Sequence, residues 1–138
     1  MGSNTETVQA LYEAFGKGDV PAILDRLAID VRWEQWADNR AQAAGVPWMQ
    51  ARTGPGEVAE FFNIVGNFEV QEFSVVGLME GGNQVVAEVV IEVTDRVSGA
   101  HYRDEELHLW TFDDRGKVTR LRHYTDTAKQ IAAASRST

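Results

Sequence analysis

The chain has 138 residues, of which 43% are hydrophobic and 25% charged, with a formal net charge of −8: enough for one core in one domain, and too acidic, with its bases scattered (Arg26, Arg40, Arg52, Arg96, Arg120, Arg122), to suggest a nucleic-acid partner. The absence of cysteine excludes disulfides, thiolate nucleophiles and zinc–cysteine sites. No stretch approaches the roughly 20 apolar residues of a membrane span, and the opening Met-Gly-Ser-Asn-Thr-Glu has no basic head before an apolar run, so a cytoplasmic protein is expected.

Ser3 and Glu6 have capping-box spacing, and Val8, Leu11, Tyr12 and Phe15 follow on one helical face. A first amphipathic helix is therefore predicted, stopped by Gly16 and Gly18. Asp19 and Pro21 open a second, with Ile23, Leu24 and Leu27 as its apolar stripe. From Val31 the pattern alternates, giving a strand to about Trp36. Residues 37–52 show no period and read as a long loop carrying Trp48 beside Pro47. Loops of that length are uncommon in compact domains, and this one is expected to border a cavity mouth as a mobile lid. After Thr53-Gly54-Pro55-Gly56 comes a third helix with Val58, Phe61, Phe62 and Val65 on one face.

The second half is β-branched and aromatic in four runs, 68–79, 84–95, 101–112 and 117–125. The connections Gly81-Gly82-Asn83, Ser98-Gly99 and Asp113-Asp114-Arg115-Gly116 are too short for parallel crossovers, so the runs form an antiparallel meander. A short C-terminal helix from about Asp126 to Ala134 completes the single domain, residues 1–138. Helices first and hairpins later is an α+β order. Strands of about 12 residues are longer than average, so the sheet should curve strongly around the three N-terminal helices and enclose a cone-shaped cavity.

The segment Phe112-Asp113-Asp114-Arg115-Gly116-Lys117-Val118, followed by Leu121-Arg122-His123-Tyr124-Thr125-Asp126, resembles the last hairpin of SnoaL-like and ketosteroid isomerase-like proteins. Gly18-Asp19 through Asp30-Val31 resembles their second helix and first strand. The resemblance implies the nuclear transport factor two-like cone fold. It does not fix a reaction, because that scaffold hosts isomerases, cyclases, epoxide hydrolases, dehydratases and non-catalytic binders.

Parity along the strands names the pocket groups. Phe112, Trp110, His108 and Glu106 share one face of run 101–112, while Leu107 and Leu109 share the other. Leu121, His123 and Thr125 point inward from the last run, and Arg122 and Tyr124 outward. The two histidines lie 15 residues apart across a four-residue turn, as cross-strand neighbours do. An imidazole can give or take a proton near neutrality. The resemblance puts His108 at the isomerase's oxyanion-hole acid, His123 at a catalytic Asp of the epoxide hydrolases and close to the acid/base Asp of SnoaL, and Glu34 at the isomerase's general-base Asp. The isomerase's oxyanion Tyr falls on Leu11, a departure, and the Arg-and-two-Asp set of the epoxide hydrolases is not intact.

The expected catalytic residues are therefore His123, His108 and Glu34, with Trp110, Trp36, Trp48, Phe112, Leu121 and Thr125 lining the substrate site. His123 moves the proton, His108 steadies an enolate oxygen, and Glu34 assists or is the alternative base. Both imidazoles are expected neutral at pH 7 unless Glu34 is close. The expected activity is cofactor-independent acid/base chemistry on a small hydrophobic carbonyl compound (cyclisation, isomerisation or dehydration). Non-catalytic binding of such a molecule stays open, and a metal site from His108, His123 and Glu34 is the least favoured reading. Neither a metal, a nucleic acid nor a membrane is expected as partner. A homodimer through the outer sheet face is expected from Tyr124, Leu107 and Leu109.

Overall fold

The computed structural model describes residues 3–34 and 39–135. Helix α1 (Asn4–Gly16) opens with the expected capping box: the Glu6 amide donates to Ser3 Oγ at 3.1 Å, and the Ser3 amide donates to Glu6 Oε1 at 2.8 Å. Helix α2 (Val20–Leu24) is capped by Asp19, which accepts from the Ala22 amide. Strand β1 (Leu27–Trp33) starts before the alternation that reveals it, because a register irregularity between Leu27 and Arg32 interrupts the pleat and leaves Ile29 in solvent.

The segment expected as an open loop is built of short pieces. From Asn39 onward it holds α3 (Arg40–Ala43), a 3-10 turn (Pro47–Met49) and β2 (Arg52–Thr53). Ala41, Val46, Trp48 and Met49 are buried together with Phe68, Val93, Tyr102 and Ala133. Elements of two to four residues are too short to show a period, which is why the pattern read as structureless. Their burial makes the segment a packed wall where a lid was expected.

Helix α4 (Gly54–Val65) precedes the meander β3 (Phe68–Gly81), β4 (Gln84–Asp95), β5 (His101–Phe112) and β6 (Val118–Tyr124). Helix α5 (Thr127–Ala134) follows, capped by Asp126. The curved, unclosed six-stranded sheet runs β2-β1-β6-β5-β4-β3, antiparallel throughout except where β1 joins β6 in parallel. Val8 and Leu11 of α1, Ile23 of α2 and Val58 of α4 pack with Val31, Trp33, Val85, Trp110, Phe112 and Val118 of the sheet. No helix among the described residues is long and apolar enough to cross a membrane.

One turn positions the chemistry. Gly116 closes the Asp113–Gly116 turn at φ 77°, a left-handed conformation that glycine adopts without steric cost. The Asp113 carboxylate accepts from the Arg115 and Lys117 amides and stiffens the turn. The register that follows sets Leu107 opposite Tyr124, His108 opposite His123, and Trp110 opposite Leu121.

Candidate active site

The inward face of β5 and β6 is apolar at Trp110 and Leu121 and polar one step further along. His108 and His123 meet there edge to face, ring centroids 4.9 Å apart. Glu106 joins them from two residues before His108 and is only 3% exposed. Its Oε1 accepts from His123 Nε2 at 2.6 Å and His108 Nε2 at 3.1 Å, so one carboxylate oxygen ties both rings together.

The outer nitrogens are held as well. Trp110 Nε1 can only donate, and it reaches the Tyr12 oxygen at 3.1 Å. The Tyr12 hydroxyl proton is thereby directed to His108 Nδ1, 2.6 Å away. His108 then carries its proton on Nε2, facing Glu106. On the other side, His123 Nδ1 lies 3.2 Å from Glu34 Oε1, close enough for strong attraction though poorly aligned for a hydrogen bond. Glu34 Oε2 is buried and meets no hydrogen-bond partner among the described residues.

Glu34 arrives inside by an irregular route. Strict alternation would put it opposite Trp33, on the far face of β1. Instead its φ is 59°, the one positive value among the described non-glycine residues, and the chain turns at the strand end. The Glu34 amide donates to Leu121 O at 2.9 Å, and its carbonyl accepts from Gln42 Nε2 at 2.6 Å. These bonds keep Glu34 fully buried.

Electrostatics separates the four titratable groups. Burial alone would lift Glu106, but the charge on His123 and the hydrogen bonds of both histidines outweigh it and hold Glu106 well below the usual carboxylate range. Burial alone would lower His123, yet Glu106 and Glu34 on either side hold it well above an ordinary imidazole. His108 moves the other way: burial and the neighbouring His123 charge lower it despite Glu106. Burial raises Glu34, with His123 offsetting only part. The expectation of two neutral histidines carried the proviso that Glu34 stay away. Glu34 is close, and the pair divides into a charged His123 and a neutral His108. Burial also raises Tyr12, with the Trp110 N–H offsetting part, so its phenol remains a donor.

These groups border a chamber of about 100 Å³ whose remaining wall is apolar. Trp48, Trp110 and Leu121 line it, together with Glu34, His108 and His123. Phe112 does not: it is buried in the core beneath α1 and α2, one step beyond the chamber along the same face of β5. Thr125 is likewise no part of the wall. Its hydroxyl sits between the carboxylates of Asp104 and Glu106 and can donate to only one at a time, 3.2 Å from Glu106 Oε2. Trp36 lies outside the described residues. His101 stays apart, at the surface, paired with Glu92 at 2.9 Å.

Three contributors escaped the sequence reading. In the sequence Tyr12 is one more residue of an apolar stripe, and the resemblance puts the oxyanion position at its neighbour Leu11. It is Tyr12 whose hydroxyl enters the chamber wall. Glu106 had the right parity but no assigned role. Gln130 of α5, fully buried, accepts from Trp48 Nε1 at 2.5 Å and donates to Thr125 Oγ1 at 3.0 Å and Asp104 Oδ2 at 3.3 Å. Replacing it, Gln130→Leu, strands the Trp48 N–H and is expected to lower stability by about 2 kcal/mol in urea denaturation.

For a cation, Glu106, His108 and His123 form the group with suitable donor atoms among the described residues, all within 4.8 Å of one another. The carboxylate in that set is Glu106, whereas the least favoured of the sequence readings names Glu34.

The SnoaL-like domain model matches residues 8–121. No curated protein matches the sequence. Among solved structures, an NTF2-like protein of unknown function from Burkholderia pseudomallei K96243 is 27% identical, covers 98% of this chain and 99% of its own, and superposes with a TM-score of 0.80. TerC, co-crystallised with polyporic acid, is 24% identical over 96% of this chain and 98% of its own, TM-score 0.75. A proposed polyketide cyclase from Pseudomonas putida KT2440 is 19% identical over 96% of this chain and 98% of its own, TM-score 0.76. The likeness of the last two is one of fold.

Proposed function

We propose that this chain, which belongs to the SnoaL-like domain family, is a cofactor-independent acid/base enzyme that moves a proton beside the carbonyl of a hydrophobic compound, in cyclisation, isomerisation or dehydration. The observation that carries this reading is the run Glu34–His123–Glu106 at the end of an apolar chamber, with Glu34 Oε2 buried and unpartnered among the described residues.

In that reading Glu34 is the base and His123 stays protonated beside it. Both His123 nitrogens face carboxylates, so the oxygen open to a substrate is that of Glu34. As a carboxylate, it takes a proton from the carbon next to the carbonyl. The C–H electron pair becomes a C=C bond, and the carbonyl π pair moves to oxygen. The charge on His123 steadies the Glu34 carboxylate beforehand and is itself held by Glu106. Tyr12 supplies the donor for the enolate oxygen by rotating its hydroxyl proton away from His108 Nδ1, while His108 keeps its N–H on Glu106 and holds the Tyr12 oxygen in place. The proton then returns to carbon, or the enolate attacks a second carbonyl.

The test is deuterium exchange at the α-carbon of a cyclic aryl ketone in D2O, followed by NMR. Exchange above the buffer rate supports the enzyme. A second reading has its own observation: both nitrogens of each histidine are already engaged, as they would be in a site that only orients a ligand. Tight binding with no exchange would select it. Tyr12→Phe, which removes the oxyanion donor, is expected to slow exchange about 10²-fold while leaving ketone affinity nearly unchanged.

The reading requires no metal, and elemental analysis of the purified protein checks this: a stoichiometric transition metal would reassign Glu106, His108 and His123 as ligands. We also propose a homodimer through the outer face of β5 and β6, where Leu107 is 45% exposed. Light scattering should return twice the 15.3 kDa chain mass, and a monomer at micromolar concentration would rule the dimer out.

A further inference from the structure

Beside the chamber runs a groove of about 1110 Å³ between α1, α2, α4 and β3. Phe15, Phe62 and Phe73 line both spaces. Their rings close on one another, with centroids 5.2 Å apart for Phe15–Phe73 and 6.4 Å for Phe15–Phe62. Phe73 also meets Tyr12 at 5.7 Å, so the partition adjoins the proposed oxyanion donor.

Phe73 is the member best placed to yield. It lies on the edge strand β3, half-buried, between two register shifts, at Val70/Glu72 and Val75/Gly77. Bulges of this kind re-aim side chains beside binding sites. The chamber is too small for a polycyclic molecule, whereas groove and chamber together are not. A ligand longer than the chamber therefore has to pass these rings and leave its remainder in the groove.

The groove also selects by charge. Glu13 is the charged residue in its described lining, which contains neither Lys nor Arg. Lys17, between the lining residues Gly16 and Gly18, is exposed and is not part of that lining. An anionic group seated there would meet a like charge, with no cation in the described lining to offset it. An uncharged ring system would cover the apolar part of the wall, Phe15, Phe62, Val65, Phe73 and Leu78, which is favourable, without opposing the Glu13 charge.

We infer that the groove is the outer half of the binding site and takes the uncharged ring body of an elongated ketone, whose carbonyl end passes the Phe15–Phe62–Phe73 partition into the chamber. This rests on the acid/base reading for which end enters. Free carboxylic acids, and thioesters of phosphate-bearing carriers, are disfavoured as ligands.

The test compares 1-oxo-1,2,3,4-tetrahydrophenanthrene with the same ketone carrying a carboxylate on its far ring, by calorimetry on the full chain. The neutral ketone should bind at least tenfold tighter, about 1.4 kcal/mol, and Glu13→Lys should narrow the gap. Phe73→Ala should speed association of the neutral ketone about threefold or more, read by stopped-flow tryptophan fluorescence. Phe73→Leu gives a milder change in the same direction if the alanine variant does not fold. Equal or tighter binding of the carboxylate, failure of the neutral ketone to bind, or an unchanged association rate in the Phe73 variants each overturns the inference. Deuterium exchange separates the two claims. Charge-selective binding without exchange leaves the groove assignment standing and removes the acid/base reading, and exchange without charge selection does the reverse.

Discussion

Glu34→Gln is expected to slow α-proton exchange about 10³-fold, within the roughly 10²–10⁴ that a positioned general base supplies. The amide keeps the volume and the backbone bonds to Leu121 and Gln42, so the fold should survive and only the base is lost. His123→Ala should fall as far, because the charge that steadies Glu34 disappears with it. The wild-type pH profile follows from the directions of the shifts. Activity needs Glu34 ionised and His123 protonated. Glu34 is raised from 4.5, so the rate should climb with pH above the ordinary carboxylate range. His123 is held well above 6.5, so the falling limb should lie on the alkaline side of an ordinary histidine. A profile that falls through pH 6.5 while the rest behaves as expected would mean that the two carboxylates do not hold the His123 charge. Retention of full exchange by Glu34→Gln would remove the mechanism altogether.

Those residues were not equally legible beforehand. The pairing of His108 with His123 follows from a local feature, the turn ending at Gly116, together with the strand parity that Trp110 and Leu121 fix by being too apolar for water. Glu34 entered by likeness to a family position. Its alternation pointed the wrong way, since the left-handed backbone that turns it inward leaves no mark in the order of residues. Tyr12 was hidden for another reason. On a helix whose stripe is Val8, Leu11, Tyr12 and Phe15, periodicity reports the buried side but cannot tell the part that fills the core from the part that walls a cavity. Glu106 needed the most distant information. A lone glutamate on a strand is ordinarily solvated, and only the arrival of both histidines makes its burial tolerable. The meander and the α+β order, by contrast, depend on turn chemistry and strand period within about a dozen residues, and both were read as they stand.

The second large effect is on the folded state itself. Glu106→Gln should destabilise the protein by about 3 kcal/mol near pH 5.5, because breaking a buried charge pair strands its partner. His123 can escape part of this by releasing its proton, and that escape makes the loss depend on pH. Glu106 is depressed below 4.5, so its contribution is full above that value and is lost as pH falls toward the folded-state value. His123 is raised above 6.5, so its contribution is full below that value and is lost as pH rises through the folded-state value. The stability difference between wild type and Glu106→Gln should therefore be largest between 4.5 and 6.5 and shrink on the alkaline side. Glu34 and His108 titrate in both proteins, and comparing the two cancels much of their effect: raised Glu34 favours the folded state at low pH, and lowered His108 favours it at higher pH. Urea denaturation at about pH 5.5 and about pH 9 reads the difference directly. NMR titration of the His123 ring should show its pKa dropping in the variant, with Glu34 left as its one carboxylate neighbour. A stability difference that does not change with pH, together with an unmoved His123 titration, would mean that Glu106 only packs against the two rings and does not hold the charge on which the proton transfer depends.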